Sequence, residues 1–197
     1  MENNIVVLLL AAFPLMGSPG PAVLSVAAIG SAFGLKRGAP YLAGIICGSA
    51  SVLFLIATGV TGLILSVPSV VGVITVLAAV YILYLAYKIA TAPVVVEAQA
   101  TARPPSFFSG YFLALANPKA YAAIGAVYSA NQIFPSDLYA NSIAKLIILS
   151  LVIITVNSTW LLFGSALSSV LRDPKKGRIA NIMFAVLLIV SVAMVFV

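Results

Sequence analysis

Hydrophobic residues run along the chain in long blocks that only short polar stretches interrupt. Charged residues are absent from residues 5–35, 38–87, 146–171 and 179–197. A helix of about 20 apolar residues spans the hydrocarbon core of a bilayer, and each block reaches or approaches that length. The block at 38–87 would extend about 75 Å as one helix, so the pattern predicts that it folds back.

Proline, glycine and polar stretches divide these blocks into six predicted hydrophobic helices. The predicted helices cover residues 5–33, 39–65, 70–90, 107–130, 141–167 and 179–197. The first is interrupted at Ser18-Pro19-Gly20-Pro21 and the fourth at Asn117-Pro118. The predicted fold class is all-α, a polytopic membrane protein with one transmembrane domain over residues 1–197.

The two halves of the chain follow the same plan. Repeat A, about 1–95, and repeat B, about 105–197, each hold three predicted helices, and proline breaks the first helix of each. Because three is odd, repeat B enters the membrane from the opposite side, which gives inverted repeats. Matched interrupted helices in two such halves indicate the binding site of a transporter.

Composition agrees with a membrane protein and narrows the chemistry. Hydrophobic residues make up 63% of the chain, charged residues 7%, and the mean hydropathy is +1.21, whereas soluble domains carry about 25% charged residues. Histidine is absent and Cys47 is the single cysteine, so we expect no disulfide within the chain, no metal site, no cofactor and no enzyme activity. Cys47 itself is predicted to lie in the core.

The net charge of +6 predicts orientation rather than nucleic-acid binding, because the basic residues flank the hydrophobic helices. Loops 1–2, 3–4 and 5–6 hold eight of the ten: Lys36, Arg37, Lys88, Arg103, Arg172, Lys175, Lys176 and Arg178. Lysine and arginine concentrate on the cytoplasmic side, which predicts that both termini lie outside. Residues 1–4 lack a basic residue, so the first helix is predicted to be retained rather than cleaved as a signal peptide.

The first break holds candidate substrate-binding residues: Ser18, Pro19, Gly20, Pro21 and Ala22. Two prolines remove backbone donors, and unpaired backbone is tolerated at membrane depth only inside protein or beside water. The half-helix that starts near Ala22 would point its positive end at a cavity and favour a carboxylate. A simple kink or a surface turn is the alternative.

The second break and one helix interior supply the other substrate-binding candidates. Asn117 can cap a half-helix, Pro118 suits its first turn, and Lys119 is a cation inside an apolar segment, which marks a functional candidate. The alternative for Lys119 is that it extends to the membrane surface. Asn157 is a polar residue within the fifth helix that needs a partner there.

A short basic stretch follows Gly34 and connects the first two predicted helices. Lys36, Arg37 and Gly38 are candidates for gating or for anchoring the topology. Anchoring explains the two cations as well as gating does, because basic residues beside a hydrophobic helix set its orientation.

These motifs together resemble the LysE/RhtB family of amino-acid exporters. The resemblance rests on the Ser-Pro-Gly-Pro break, the loop at residues 34–38, the sequence at 81–88 and, above all, residues 108–120 with their Asn-Pro-Lys. It covers essentially the whole chain. Family members often continue after Asn-Pro-Lys to a Phe-Pro-Gln-Phe sequence, whereas residues 128–137 here read Tyr-Ser-Ala-Asn-Gln-Ile-Phe-Pro-Ser-Asp.

The resemblance implies export of amino acids or related small metabolites across a bacterial cytoplasmic (inner) membrane. It implies roles for Pro19, Gly20, Pro21, Arg37, Gly38, Asn117, Pro118 and Lys119. We expect secondary active transport by alternating access, with a lipid bilayer and a small-molecule substrate as partners, a proton or sodium ion as a candidate coupling ion, and a homo-oligomer as one assembly state. The alternatives are a heavy-metal or cation exporter of related architecture and a non-transporting membrane assembly subunit.

Overall fold

The computed structural model of the chain describes residues 2–59, 68–91, 105–170 and 173–193. Within these ranges there are seven helices and no strand, which confirms the all-α class. The helices are α1 (Glu2–Gly17), α2 (Pro21–Ala57), α3 (Pro68–Ala90), α4 (Phe107–Leu115), α5 (Pro118–Ala130), α6 (Leu138–Val170) and α7 (Pro174–Ala193). Residues 60–65 of the second predicted helix, residues 194–197 of the sixth, and the predicted loop residues Arg103 and Arg172 lie outside the described residues.

Both predicted helix breaks are present. The first separates α1 from α2 at Ser18–Gly20, and the second separates α4 from α5 at Ala116 and Asn117. Proline opens the helix after each break, where its missing N–H would have no partner in the helix anyway.

Gly34 folds α2 back on itself. Its φ of 73° and ψ of 179° are not helical, and glycine adopts a positive φ without a steric penalty. The Tyr41 hydroxyl donates a hydrogen bond to Ser25 Oγ at 2.9 Å, although these residues would lie about 24 Å apart along a straight helix. Therefore α2 consists of a first arm, residues 21–33, and a second arm, residues 35–57.

The loop predicted after Gly34 is shorter than expected. The reversal is made at Gly34 alone, and Lys36, Arg37 and Gly38 already belong to the second arm. Gly38 is buried, and a Cβ there would lie 3.0 Å from Leu161 Cδ1. Its small size lets the second arm and α6 approach each other.

Two helices begin earlier than predicted because an aspartate precedes each. Asp137 Oδ1 accepts a hydrogen bond from the Ala140 N–H at 2.9 Å and precedes α6. Asp173 Oδ1 accepts from the Lys175 N–H at 2.8 Å and precedes α7. A capping carboxylate satisfies N–H groups of the first turn that have no partner in the helix, so α6 and α7 extend into polar stretches that hydrophobicity alone leaves as loops.

The helices pack in three main contacts. The first pairs α1 and the first arm with α6, the second pairs the second arm with α4, and the third pairs α3 with α7. In the first contact Gly30 and Gly164 leave no room for a Cβ, and in the second Gly44 and Gly110 do the same. Glycine at these positions lets the backbones of neighbouring helices touch.

Partners in the first two contacts run in the same direction. Along α1 and the first arm, Gly17 lies against Trp160 of α6, and Ala27 lies against Gly164. Along the second arm, residues 44 and 48 lie against residues 107 and 111 of α4. Residue numbers increase together in both contacts, so each pair of helices is parallel.

The outer surface is apolar and several polar side chains face inward. Large hydrophobic side chains such as Leu10, 70% exposed, cover the outside of the helices, whereas Ser25, Ser49 and Lys145 are buried. On length and composition, residues 138–167 of α6 could cross a membrane, and α2 passes the same test although it reverses at Gly34. This distribution suits a lipid environment.

Cys47 corrects one prediction. Its side chain is exposed on the second arm rather than packed in the core. A cysteine is small and apolar enough to face either protein or lipid, and its place in the sequence does not distinguish the two.

Candidate functional site

A cavity lies where the two helix breaks meet. Residues of α1, both arms of α2, α5 and α6 line it, and its volume is about 40 Å³. Because one water needs about 10–15 Å³ of such volume, the cavity has room for a few waters in this conformation. Its polar side chains are Ser49, Asn117, Lys119 and Asn157.

Lys119 connects the two breaks across the cavity. Its Nζ donates a hydrogen bond to the Ser18 carbonyl, 101 residues earlier in the chain. In an unbroken helix that carbonyl would accept from the backbone four residues on, so the break leaves it available. The side chain is half-buried and its ammonium group points into the protein.

Asn117 fixes where the Lys119 side chain starts. It is 3% exposed, and its Oδ1 accepts a hydrogen bond from the Lys119 N–H at 3.2 Å. This is the N-cap arrangement that the sequence predicted, and Pro118 follows it as the first residue of α5. The cap therefore sets both the start of α5 and the direction in which the lysine leaves it.

Gly20 provides the space through which the Lys119 side chain passes. A Cβ on Gly20 would lie 2.5 Å from Lys119 Cδ and 3.1 Å from Lys119 Nζ. The φ of Gly20 is −172°, an extended value that any residue adopts. The glycine is thus required for its lack of a side chain and not for its backbone angles.

The positive ends of two helices face the cavity. Gly20 and Ala22 line it at the start of α2, and Lys119 and Ala120 line it at the start of α5. The N-terminal end of a helix carries a partial positive charge and attracts anions. At α5 the N–H groups of Lys119 and Ala120 are already bonded to Asn117, so its contribution is the helix dipole. Together with the Lys119 ammonium group, the two helix starts make a site suited to a carboxylate.

Asn157 contributes a buried amide from α6. It is 5% exposed and lines the cavity. Its Nδ2 donates to the Ile153 carbonyl at 2.8 Å, while its Oδ1 has no hydrogen-bond partner among the described residues. The amide is thus satisfied at its donor and not at its acceptor.

The prolines of the predicted site shape the helix starts instead of lining the cavity. Pro19 is exposed in the first break, and Pro21 is buried as the first residue of α2. Pro118 has the corresponding place at the start of α5. Ser18 contributes its carbonyl oxygen, which accepts the lysine hydrogen bond.

The basic stretch after Gly34 lies apart from the cavity. Lys36 and Arg37 are absent from the cavity lining, as is Gly38. The Arg37 guanidinium stands 5.5 Å from the centre of the Phe33 ring. A gating or anchoring role for these residues stays a prediction.

Ser49 is a lining residue that the sequence did not indicate. It is 6% exposed and reaches the cavity from the second arm. A serine hydroxyl within a helix can bond to the helix's own backbone, so its position gives no signal until the fold places it beside the two breaks.

Comparisons with known proteins find a family and several relatives. The sequence model of one protein family, described as "LysE type translocator", matches residues 14–197. A cysteine/O-acetylserine efflux protein of Salmonella typhimurium is 29% identical over 180 residues, which cover 91% of this chain and 90% of that protein. A protein of the same description from Salmonella choleraesuis matches equally well.

A leucine efflux protein of Klebsiella pneumoniae is 36% identical over 107 residues, which cover 52% of this chain and 50% of that protein. No solved structure gives a significant match. These relatives are efflux proteins and not enzymes, in agreement with the prediction from the sequence.

Proposed function

Because the chain belongs to the family of LysE type translocators, we propose that it is a secondary active exporter of amino acids or related small metabolites. Its relatives are named as efflux proteins for cysteine, O-acetylserine and leucine. We place it in the bacterial cytoplasmic membrane, with a proton or sodium ion as the coupling ion. The observation that carries the proposal is the bond from Lys119 to the Ser18 carbonyl, which joins the two helix breaks beside a cavity.

The substrate carboxylate binds between the two helix starts in this proposal. Lys119 supplies a full positive charge, the first turn of α2 supplies N–H groups that have no partner in the helix, and the start of α5 supplies the positive end of its helix dipole. The same charge repels a metal ion, so the cavity favours a carboxylate substrate over the heavy-metal alternative. A non-transporting assembly subunit, the other alternative, does not explain why two matched helix breaks meet at a cavity.

The cavity is smaller than the substrate in this conformation. A cavity of about 40 Å³ has room for waters and not for an amino acid, so the lining must move before the substrate enters. Lys119 bonds to Ser18 in this state. A substrate carboxylate then binds the Lys119 ammonium group, and the hydrogen bond from Lys119 to the Ser18 carbonyl breaks.

In this proposal the two inverted repeats, about 1–95 and 105–197, move relative to each other and expose the site to each side of the membrane in turn, which is alternating access. The contact pattern supports this arrangement. The broken first helix of repeat A lies parallel to α6 of repeat B, and the broken first helix of repeat B lies parallel to the second arm of repeat A. A two-fold axis that relates the repeats would exchange these two contacts with each other. It would also map the contact of α3 with α7 onto itself, because these are the third helices of the two repeats.

Replacing Lys119 by methionine tests the proposal. Methionine has a similar length and removes the charge, so we expect export to fall at least tenfold at equal protein level, which corresponds to about 1.4 kcal/mol. The measurement is efflux of a labelled amino acid from cells that express each variant. Lys175→Met is the matched control, because Lys175 is exposed at the start of α7. Normal export by Lys119→Met would remove the lysine from the mechanism.

A further inference from the structure

The acceptor of Asn157 is a buried group without a partner among the described residues. Leaving such an atom unbonded is costly, so buried polar atoms of this kind usually have a specific reason. The assignment of its oxygen and nitrogen is fixed, because the atom 2.8 Å from the Ile153 carbonyl has to be the donor, Nδ2. Oδ1 is therefore a buried acceptor on a residue that lines the cavity.

The other polar features of the cavity attract an anion. Lys119 and the starts of α2 and α5 offer positive charge, and they account for a carboxylate. An amide oxygen instead accepts a hydrogen bond. A ligand that binds both the positive groups and the Asn157 oxygen therefore carries a carboxylate and, close to it, an N–H donor.

We propose that Asn157 is a specificity-determining residue that accepts a hydrogen bond from the α-ammonium group of the substrate. The inference rests on the proposed function and deepens it, since it assigns the second charged group of an amino acid to a named atom. The ammonium group loses its water on entering the cavity, and the Asn157 oxygen replaces one of the lost bonds.

The residues that line the cavity also determine which substrate side chains can bind. Apart from the polar groups the lining is apolar, with Leu15, Val23, Ile124 and Val156 among its members. Within the described residues it contains no carboxylate that could pair with a second cation, and Lys119 repels one. The site therefore takes amino acids with neutral side chains and rejects basic ones.

The test compares amino acids with analogues that lack only the amino group. The full-length protein in detergent is titrated with L-leucine and 4-methylpentanoate, and with O-acetyl-L-serine and 3-acetoxypropanoate, and binding is followed by thermal stabilisation. The wild type is expected to bind one of the two amino acids more tightly than the other, and to bind that amino acid at least tenfold more tightly than its analogue. It is also expected to bind L-lysine at least tenfold more weakly than that amino acid.

Asn157→Leu removes the acceptor at similar volume, so the tenfold preference is expected to fall to about one. Thr155→Leu is the matched control, because Thr155 lies on the exposed side of α6, and the preference should remain. Asn157→Asp keeps an acceptor and should keep the preference, which provides a second folded variant if the leucine variant fails to fold.

The outcomes separate the two proposals. If the wild type binds neither amino acid, the proposed function is overturned together with this inference. If it binds an amino acid and its analogue equally, or if folded Asn157→Leu keeps the tenfold preference, the role of Asn157 is overturned and the exporter proposal stands. Loss of the preference in Asn157→Asp overturns that role too, and equal binding of L-lysine overturns the exclusion of basic substrates.

Discussion

Lys119 and Gly20 depend on each other although they belong to different halves of the chain. The lysine reaches the Ser18 carbonyl only because Gly20 has no side chain in its path. Protein interiors are close-packed, so an atom added at Gly20 has to displace the lysine. The pair is thus one structural unit assembled from both breaks.

We predict that Gly20→Ala weakens this unit. The new Cβ overlaps the flexible end of the Lys119 side chain, which has to move aside, and the loss of its hydrogen bond to the Ser18 carbonyl costs about 1.5–3 kcal/mol. The measurement is the unfolding temperature of the purified protein, together with export in cells, and both should fall.

The control for this prediction uses the dependence of the Gly20→Ala effect on the Lys119 side chain. In a Lys119→Ala background the side chain that Gly20→Ala would displace is gone, so the second change should lower the unfolding temperature little further. Gly125→Ala, where a Cβ in the middle of α5 meets its nearest neighbour at 4.0 Å, should lower neither stability nor export, since alanine favours a helix interior over glycine. Equal losses from Gly20→Ala in both backgrounds would contradict the overlap.

Among the helices, α5 is held at both ends. Asn117 caps its start. At its other end Lys145 of α6 donates hydrogen bonds to the Tyr128 carbonyl at 2.8 Å and the Asn131 carbonyl at 3.2 Å. The ammonium group also lies 3.9 Å from the centre of the Tyr128 ring. A positive charge at a helix C-terminus is favourable, so the second half-helix of the fourth segment has a fixed position.

We predict that Lys145→Met lowers the free energy of unfolding by about 2 kcal/mol, because hydrogen bonds to charged groups contribute about 1.5–3 kcal/mol. Lys145 is 5% exposed, so water does not readily replace the lost donor. Thermal unfolding in detergent measures the change. Lys176→Met, at an exposed lysine, is the control, and an unchanged unfolding temperature for Lys145→Met would show that the lysine does not stabilise α5.

For the whole molecule, the basic residues predict the direction of the chain in the membrane. The described part of the chain has Lys36 and Arg37 near one reversal and Lys175, Lys176 and Arg178 at the start of α7. Parallel packing of α1 and the first arm with α6 brings both of these regions to the same side. Basic residues favour the cytoplasm.

We predict that this side is cytoplasmic and that both termini lie outside. In a Cys47→Ala background, a membrane-impermeant maleimide should label Ser136→Cys in intact cells and label Lys176→Cys only after permeabilisation. Both positions are exposed in the structure. The reverse pattern would contradict the predicted orientation, and labelling of both in intact cells would contradict their separation by the membrane.

The sequence by itself determined the features that depend on local chemistry. The length of the apolar blocks, the prolines of the two breaks and the Asn117 cap act over a few neighbouring residues. The helical class, the two breaks and the cap could therefore be predicted from the order of residues alone. Helix ends were less predictable where the capping aspartates Asp137 and Asp173 extended α6 and α7 beyond the apolar residues.

Only the tertiary structure decided which groups meet. The bond from Lys119 to Ser18, the space at Gly20 and the unsatisfied oxygen of Asn157 all depend on how distant segments pack. Hydrophobicity is non-directional, and in lipid it places helices in the membrane without choosing their neighbours. Close contacts between small residues on facing helices make that choice, and the cavity follows from it.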